Sequence, residues 1–176
     1  MVARAQRSQP TWTQFGATQL EETPSGYRRL HRERVIGHGA EEFARAAAGL
    51  RTWRAHASRG VRIWPVGAAL ALDETVVVSV GSSKFAIAAP CRIIDVVDQD
   101  RRAGFVYVTL PDHPERGEES FMVTHDEDDC VRFTVAALSA PNEWVTRLSG
   151  PVGRMVQSRA TNGYLGSLAR FVNSQQ

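Results

Sequence analysis

The spacing of apolar residues changes once along the chain, from a helical period to the alternation of strands. Over 40–57 the apolar side chains recur at helical spacing, and Glu41 and Glu42 occupy the first turn, where acidic groups interact favourably with the helix dipole. This pattern predicts a helix over 40–57. From Val61 onward, short runs rich in Val, Ile and Phe are separated by turn residues, which predicts strands over 61–66, 75–80, 84–89, 92–97, 105–110, 119–125 and 131–137.

The predicted strands are joined by short connections. Because parallel strands need long crossovers, these strands are expected to form an antiparallel meander. The segment 27–36 carries charge on both faces, which favours a strand at the sheet edge, where charged side chains discourage pairing with other chains. Pro151 suits the first turn of a long C-terminal helix with apolar residues up to Val172.

These elements predict an α+β domain in which a bent antiparallel sheet packs against a long C-terminal helix and an N-terminal helical segment. At 176 residues the chain is long enough to form one hydrophobic core. We expect residues 1–14 to form a flexible tail and residues 15–173 to form the domain. Trp12 and Phe15 favour contact between the segment before Pro24 and the body of the domain. The sequence leaves the oligomeric state open.

Composition limits the classes of function. The chain has 43% hydrophobic and 23% charged residues, and its apolar runs are well short of the ~20 residues that cross a bilayer, so a soluble protein without membrane insertion is expected. A net charge of +2 is too small to indicate a nucleic-acid partner, although Arg28, Arg29, Arg32 and Arg34 form a basic strip that favours one as an alternative. The N terminus lacks the apolar stretch of a secretory signal, which predicts a cytoplasmic location.

The sequence indicates neither a metal nor a cofactor. Cys91 and Cys130 have no CxxC partner and no histidine at zinc-ligand spacing, so both are expected to be reduced strand residues. The acidic turn 126–129 lacks the glycine and distal glutamate of an EF-hand loop. The glycines at 37 and 39 lack the third glycine of a dinucleotide-binding loop.

The stretch 104–122 reads GFVYVTLPDHPERGEESFM and predicts a hairpin whose tip is rich in chemically active groups. Its candidate catalytic residues are His113, Glu115, Glu118 and Glu119, because histidine titrates near neutral pH and a neighbouring carboxylate can orient the ring or share proton transfer. The alternative is a structural hairpin in which Arg116 pairs with the neighbouring acids. No nucleophile elbow, HExxH motif or phosphate loop supports the enzymatic hypothesis.

The order of elements resembles the helix-grip fold of the START and Bet v 1 superfamily. More specific are the motifs GYRRL, VIGHG, FARAAAGLRTWRAH, APCRIIDV, GFVYVTLPDHPERGEESF and RATNGYLGSLARF, which resemble the DUF1990 family, also called UPF0548, over about residues 15–171. The resemblance implies a cavity between a curved sheet and the last helix, and it supplies no catalytic residue. It also implies glycine at two positions where this chain has Val108 and Asp112.

The favoured hypothesis is a non-catalytic protein that binds a small hydrophobic or amphipathic ligand in a cavity between the sheet and the C-terminal helix. The alternatives are an enzyme that uses the hairpin residues and a protein or nucleic-acid interaction module that presents Trp12, Phe15 or the basic strip. Each aromatic residue assigned to the cavity also suits an ordinary core. The candidate ligand-binding residues are Trp53, Trp64, Phe85, Tyr107, Phe121, Phe133, Met155 and Tyr164.

Overall fold

An antiparallel β-sheet with helices packed on one of its faces forms the body of the protein. The structure is a computed structural model that describes residues 1–19, 22–81, 86–142 and 150–174, without the side chains of 150–158. Its helices are α1 (Val2–Gln6), α2 (Gly39–Arg51) and α3 (Gly150–Asn173). Its strands are β1 (Arg28–His38), β2 (Val61–Trp64), β3 (Thr75–Gly81), β4 (Ala86–Gln99), β5 (Arg102–Thr109), β6 (Glu115–His125) and β7 (Cys130–Pro141).

The strands lie in the order β1-β7-β6-β5-β4-β3-β2, and each neighbouring pair is antiparallel. Strands β2 to β7 follow one another as the predicted meander, while β1 pairs with β7 from Arg28 opposite Ser139 to His38 opposite Cys130. This topology confirms the α+β fold and the edge position predicted for the segment 27–36. Over the described ranges, the structure contains no helix that is both long and apolar enough to cross a membrane.

Helices α2 and α3 pack against each other and over one face of the sheet, which we call the inner face. Leu50 of α2 and Leu168 of α3 are buried there against Phe105 and Phe121 of the sheet. Because side chains alternate across a strand, Ala103, Phe105 and Tyr107 of β5 and Phe121 and Val123 of β6 enter this core. The inner face is therefore the main hydrophobic core of the domain.

The N-terminal segment covers part of the opposite, outer face. Trp12 is 6% exposed and belongs to a small apolar cluster with Val108 and Leu138. The Arg92 guanidinium donates hydrogen bonds to the last two carbonyl oxygens of α1, at 3.2 and 2.9 Å. The flexible tail predicted for 1–14 thus differs from the structure, in which apolar burial and these hydrogen bonds hold parts of the segment on the sheet.

Helix α2 ends at Arg51, earlier than the sequence pattern predicts. The N–H groups of Trp53 and of the following residue donate back to the carbonyls of Leu50 (3.0 Å) and Gly49 (2.8 Å), an arrangement that closes helices around a left-handed residue. Trp53 is that residue, with a φ of +58°, where glycine is usual. Its buried indole N–H donates to the carbonyl of Ala68 at 2.8 Å, so tertiary contacts support the early helix end.

Two strand boundaries also differ from the predictions. Strand β4 is continuous through Pro90, where the sequence predicts two strands, and the carbonyl of Pro90 accepts the N–H of Leu110 at 3.0 Å. Strand β6 begins at Glu115 because its first residues pair with the end of β7. The hairpin tip is therefore shorter than predicted. Within it, Asp112 has a φ of +74°, a conformation that suits the glycine implied at this position.

Candidate functional site

The four candidate residues of the β5–β6 hairpin do not lie in one site. Side chains alternate along β6, so Glu119 points to the inner face and Glu118 points to the outer face. Glu118 is 2% exposed and accepts hydrogen bonds from the N–H of Gly16 (3.0 Å) and from the N–H (2.6 Å) and hydroxyl (2.9 Å) of Thr18. This corrects the predicted grouping: the carboxylate of Glu118 anchors the N-terminal segment on the other side of the sheet.

His113 and Glu115 lie at the start of the hairpin. Nδ1 of His113 accepts a hydrogen bond from the N–H of Glu115 at 2.8 Å. Burial lowers the pKa of His113 to about 4, a shift that the Glu115 backbone opposes, so the ring is neutral near pH 7. Burial raises the pKa of Glu115, opposed by a hydrogen bond with Ser139 and by the charge of Arg28, 3.8 Å away. Across the described ranges, no three His, Cys, Asp or Glu side chains are placed to hold a metal ion.

Four of the predicted ligand-binding residues meet around His56 on the inner face. The ring centroid of His56 lies 4.5 Å from that of Tyr164, 4.8 Å from Phe121, 5.2 Å from Trp53 and 6.3 Å from Tyr107. We call these five residues the inner-face cluster. The irregular segment after α2, strands β5 and β6, and helix α3 each contribute to it.

The imidazole of His56 has an unusual environment. It is 2% exposed, and neither ring nitrogen has a hydrogen-bond partner in the part of the chain that the structure describes. Burial lowers its pKa to about 3, so the ring is neutral and carries one donor and one acceptor. Leaving such a buried group unpaired costs roughly 1–3 kcal/mol, and native proteins contain few of them. His56 is therefore a candidate for contact with a ligand.

Glu119 lies beside the inner-face cluster and is half-buried. The hydroxyl of Tyr107 donates to its Oε2 at 2.6 Å. Burial raises the pKa of Glu119 to about 7; the bond from Tyr107 opposes this shift and the charge of Glu115 adds to it. Burial first, and then the charge of Glu119, raise the pKa values of Tyr107, Tyr164 and Cys91. The carboxyl and carboxylate forms of Glu119 therefore coexist near neutral pH, in electrostatic range of these three groups.

The remaining predicted ligand-binding residues have different positions. Trp64 is 45% exposed, and because its neighbour Ile63 packs on the inner core, its side chain points to the outer face. Its assignment to a cavity on the inner face is wrong. Phe133 is fully buried in the inner core on β7. Phe85 and the side chain of Met155 lie outside the described residues.

Two groups proposed for partner binding make contacts within the protein. The guanidinium of Arg29 donates to carbonyl oxygens of the segment 17–22 at 3.0 to 3.2 Å. Trp12 is buried on the outer face, whereas Phe15 is 55% exposed. The first part of the basic strip thus has a structural role in holding the N-terminal segment.

Comparison with known proteins places the chain in a family. The family described as "Domain of unknown function (DUF1990)" matches residues 11–167. The chain belongs to the DUF1990 family. UPF0548 proteins of Dictyostelium discoideum and Deinococcus radiodurans are each 29% identical to it, over 80% and 96% of this chain and 71% and 90% of theirs.

Solved structures of low sequence identity share the fold of this DUF1990 protein. Ara h 8.0201 has a TM-score of 0.56 at 12% identity, and the match covers 85% of this chain and 99% of that chain. Norcoclaurine synthase from Thalictrum, solved as a point mutant with a transition state analogue, has a TM-score of 0.56 at 10% identity, with 88% and 99% covered. A protein from Thermus thermophilus has a TM-score of 0.60 at 14% identity, with 85% and 99% covered. The predicted Bet v 1-like helix-grip fold is confirmed.

Sequence reasoning did not select His56, the central residue of the cluster in this DUF1990 domain. The helical pattern over 40–57 predicts a polar residue at a helix end. The left-handed turn at Trp53 instead leads the chain off α2, and the N–H of His56 donates to the carbonyl of Trp53 at 3.0 Å. A weak signal was present, since alanines flank the histidine and small neighbours permit close packing.

Proposed function

We propose that this protein binds a small amphipathic molecule against the inner-face cluster, with an apolar body on the aromatic rings and a polar group toward His56. The observation that carries the proposal is the buried imidazole of His56, whose two nitrogens have no partner among the described residues. A bound ligand supplies the hydrogen bonds that these residues do not provide. The energetic penalty of an unpaired buried imidazole then becomes part of ligand recognition.

The surroundings of His56 support an amphipathic ligand. Ligand sites combine mostly apolar walls with a few well-placed polar groups. The rings of Tyr107 and Phe121 are 5.3 Å apart, and those of Phe121 and Tyr164 are 5.4 Å apart, so these buried rings form one contiguous aromatic cluster. His56 supplies a polar group at the centre of this cluster, and Glu119 supplies one beside it.

Family membership names no ligand. A Bet v 1-like fold is compatible with a ligand-binding domain, and the norcoclaurine synthase structure contains a transition state analogue. The cavity predicted between the sheet and α3 involves the stretch 150–158, whose side chains lie outside the described residues, and it stays a prediction. A cytoplasmic location and the lack of a nucleic-acid partner stay predictions as well.

Native mass spectrometry of the purified protein, followed by denaturing extraction, tests whether a ligand co-purifies. We expect an added mass that corresponds to one small organic molecule per chain. Identification of the released molecule then gives its chemical class.

Titration with N-phenyl-1-naphthylamine, a neutral apolar fluorophore, tests the same site without knowledge of the ligand. We expect saturable binding by the wild-type protein and about fivefold weaker binding by His56→Leu, the equivalent of losing ~1 kcal/mol of hydrogen bonding. His31→Leu is the matched control, because the His31 side chain is 58% exposed on β1. The proposal fails if nothing co-purifies and the fluorophore does not saturate, or if both variants bind it equally.

A further inference from the structure

One carboxylate oxygen of Glu119 has no hydrogen-bond partner among the residues that the structure describes. Its Oε2 accepts the hydroxyl of Tyr107, whereas its Oε1 has no hydrogen-bond partner within the described ranges. No arginine, lysine or histidine of the same ranges pairs with this carboxylate, in contrast to Glu115, which has Arg28 at 3.8 Å. The described residues therefore supply no counter-charge to this half-buried carboxylate beside the inner-face cluster.

The groups that face Glu119 come from four elements and include no cation among the residues that the structure describes. They are Tyr107 on β5, Cys91 on β4, Tyr164 on α3 and Glu115 on β6 itself. The tyrosines and the cysteine are neutral near pH 7, because burial and Glu119 both raise their pKa values. Glu115 adds negative charge. The ionised form of Glu119 is consequently uncompensated by the protein residues described.

We infer that the ligand carries a cation, an ammonium group that pairs with Glu119 while its apolar body lies on the inner-face cluster around His56. This inference rests on the proposed function and specifies its ligand class. Aromatic faces attract cations through their quadrupole, and the negative charge of a carboxylate attracts an ammonium group directly. An anionic ligand meets repulsion from Glu119, and a neutral ligand leaves the carboxylate uncompensated.

The inference predicts a defined pH dependence. Glu119 has a pKa of about 7 in the free protein, and an ammonium ligand binds its ionised form. Lowering the pH therefore protonates the site and weakens binding of a permanent cation, by about tenfold between pH 8 and pH 6. Binding at pH 7 also releases part of a proton.

Isothermal titration calorimetry with three probes that share a phenylalkyl body and differ in their head group tests the charge of the ligand. The probes are (3-phenylpropyl)trimethylammonium, 3-phenylpropan-1-ol and 3-phenylpropanoate, and the first keeps its charge at every pH. At pH 8 we expect the ammonium probe to bind the wild-type protein at least tenfold more tightly than the alcohol, and the carboxylate probe to bind most weakly. At pH 6 the advantage of the ammonium probe is expected to be about tenfold smaller than at pH 8.

A pair of variants assigns this effect to one carboxylate. Glu119→Gln keeps the shape of the side chain and is expected to abolish both the preference for the ammonium probe and its pH dependence, while the alcohol binds as before. Glu127→Gln removes the same charge from an exposed turn and is expected to behave as wild type. Unchanged binding of the alcohol also shows that Glu119→Gln is folded.

The outcomes separate the two proposals. If the alcohol binds as well as the ammonium probe, or if Glu119→Gln retains the ammonium preference, the cation inference is overturned and the proposed function stands. If none of the three probes binds at millimolar concentration and nothing co-purifies with the protein, the proposed function is overturned with it.

Discussion

Glu118 and Glu119 are neighbours in sequence and have opposite environments. Glu118 points to the outer face, where Gly16 and Thr18 donate three hydrogen bonds to its carboxylate. Glu119 points to the inner face, where Tyr107 donates the one hydrogen bond that it accepts among the described residues. Both are acids on the same strand, yet the described residues donate three hydrogen bonds to one carboxylate and a single one to the other.

This difference separates a structural carboxylate from a candidate functional one. Three donors fix Glu118 in place and couple the sheet to the N-terminal segment, so its contribution is to stability. Glu119 is held by Tyr107, and its second oxygen has no hydrogen-bond partner in the part of the chain that the structure describes. Hydrogen-bond satisfaction, rather than residue type or position in a motif, distinguishes the two roles.

The same substitution at both positions tests most directly whether the two carboxylates have different roles. Glu118→Gln is expected to lower the free energy of unfolding by about 2 kcal/mol, because charge-assisted hydrogen bonds are lost and the new amide nitrogen faces an N–H donor.

Glu119→Gln removes a group whose pKa is raised from 4.5 to about 7 in the folded protein. Such a group adds to the free energy of unfolding at pH values below its pKa in the unfolded chain. This contribution is lost as the pH rises through the folded-state pKa of about 7. At pH 8, Glu119→Gln is therefore expected to be at least as stable as wild type.

Urea denaturation at pH 8, monitored by tryptophan fluorescence, measures both variants. Trp12 lies in the segment that Glu118 anchors, so Glu118→Gln is also expected to change the near-ultraviolet circular dichroism of the Trp12 indole. Equal losses of stability in the two variants would contradict the proposed difference in roles.

His56→Leu tests whether the free energy of unfolding reflects the unpaired imidazole. Burial lowers the pKa of His56 from 6.5 to about 3, so only the unfolded chain takes up a proton as pH falls below 6.5. Wild type is therefore expected to lose about 2 kcal/mol through this residue between pH 7 and pH 5, and His56→Leu is expected to be spared that loss. Urea denaturation at both pH values measures the difference. An identical pH dependence in wild type and His56→Leu would show that the imidazole is solvated.

Tyr107→Phe is expected to have the smallest effect, since it removes only the hydrogen bond that Glu119 accepts from Tyr107. The hydrogen bond from Tyr107 lowers the pKa of Glu119 against the effect of burial, so its removal is expected to raise that pKa further above 7. The ¹³C chemical shift of the Glu119 carboxyl group, followed by NMR against pH, measures the change. Tyr27→Phe, at a position near the outer face, is the control. A lower pKa in Tyr107→Phe would mean that the hydroxyl does not stabilise the carboxylate.

The sequence was sufficient for features that depend on local patterns. Alternation of apolar and polar residues identified the meander, and charge on both faces of 27–36 identified an edge strand. The opposite directions of the Glu118 and Glu119 side chains also follow from the two-residue period of a strand. The hairpin motif nevertheless led to the prediction that both belong to one candidate catalytic site. Local periodicity thus predicts which face a side chain occupies, once the strand itself is recognised.

Features that depend on tertiary contacts were not predictable in the same way. Trp53 adopts a left-handed conformation that its own residue type disfavours, and contacts with Ala68 and Phe105 hold it there. That turn determines the position of His56. No spacing rule connects a histidine after a helix to rings on two strands and a distant helix, so the cluster becomes visible only in the folded chain.

The pairing of β1 with β7 has a consequence for how the protein folds. Neighbouring strands from β2 to β7 follow one another in the sequence. In contrast, Glu33 of β1 and Arg132 of β7, whose side chains are hydrogen-bonded, lie 99 residues apart in the sequence. Closing so long a loop is slow because chain entropy opposes it, so we expect β1 to dock late. Until then, β7 presents an unpaired edge that flanks the apolar side chains of Phe133 and Val135. Refolding yield should consequently fall as protein concentration rises, since another molecule can reach this edge before β1 does.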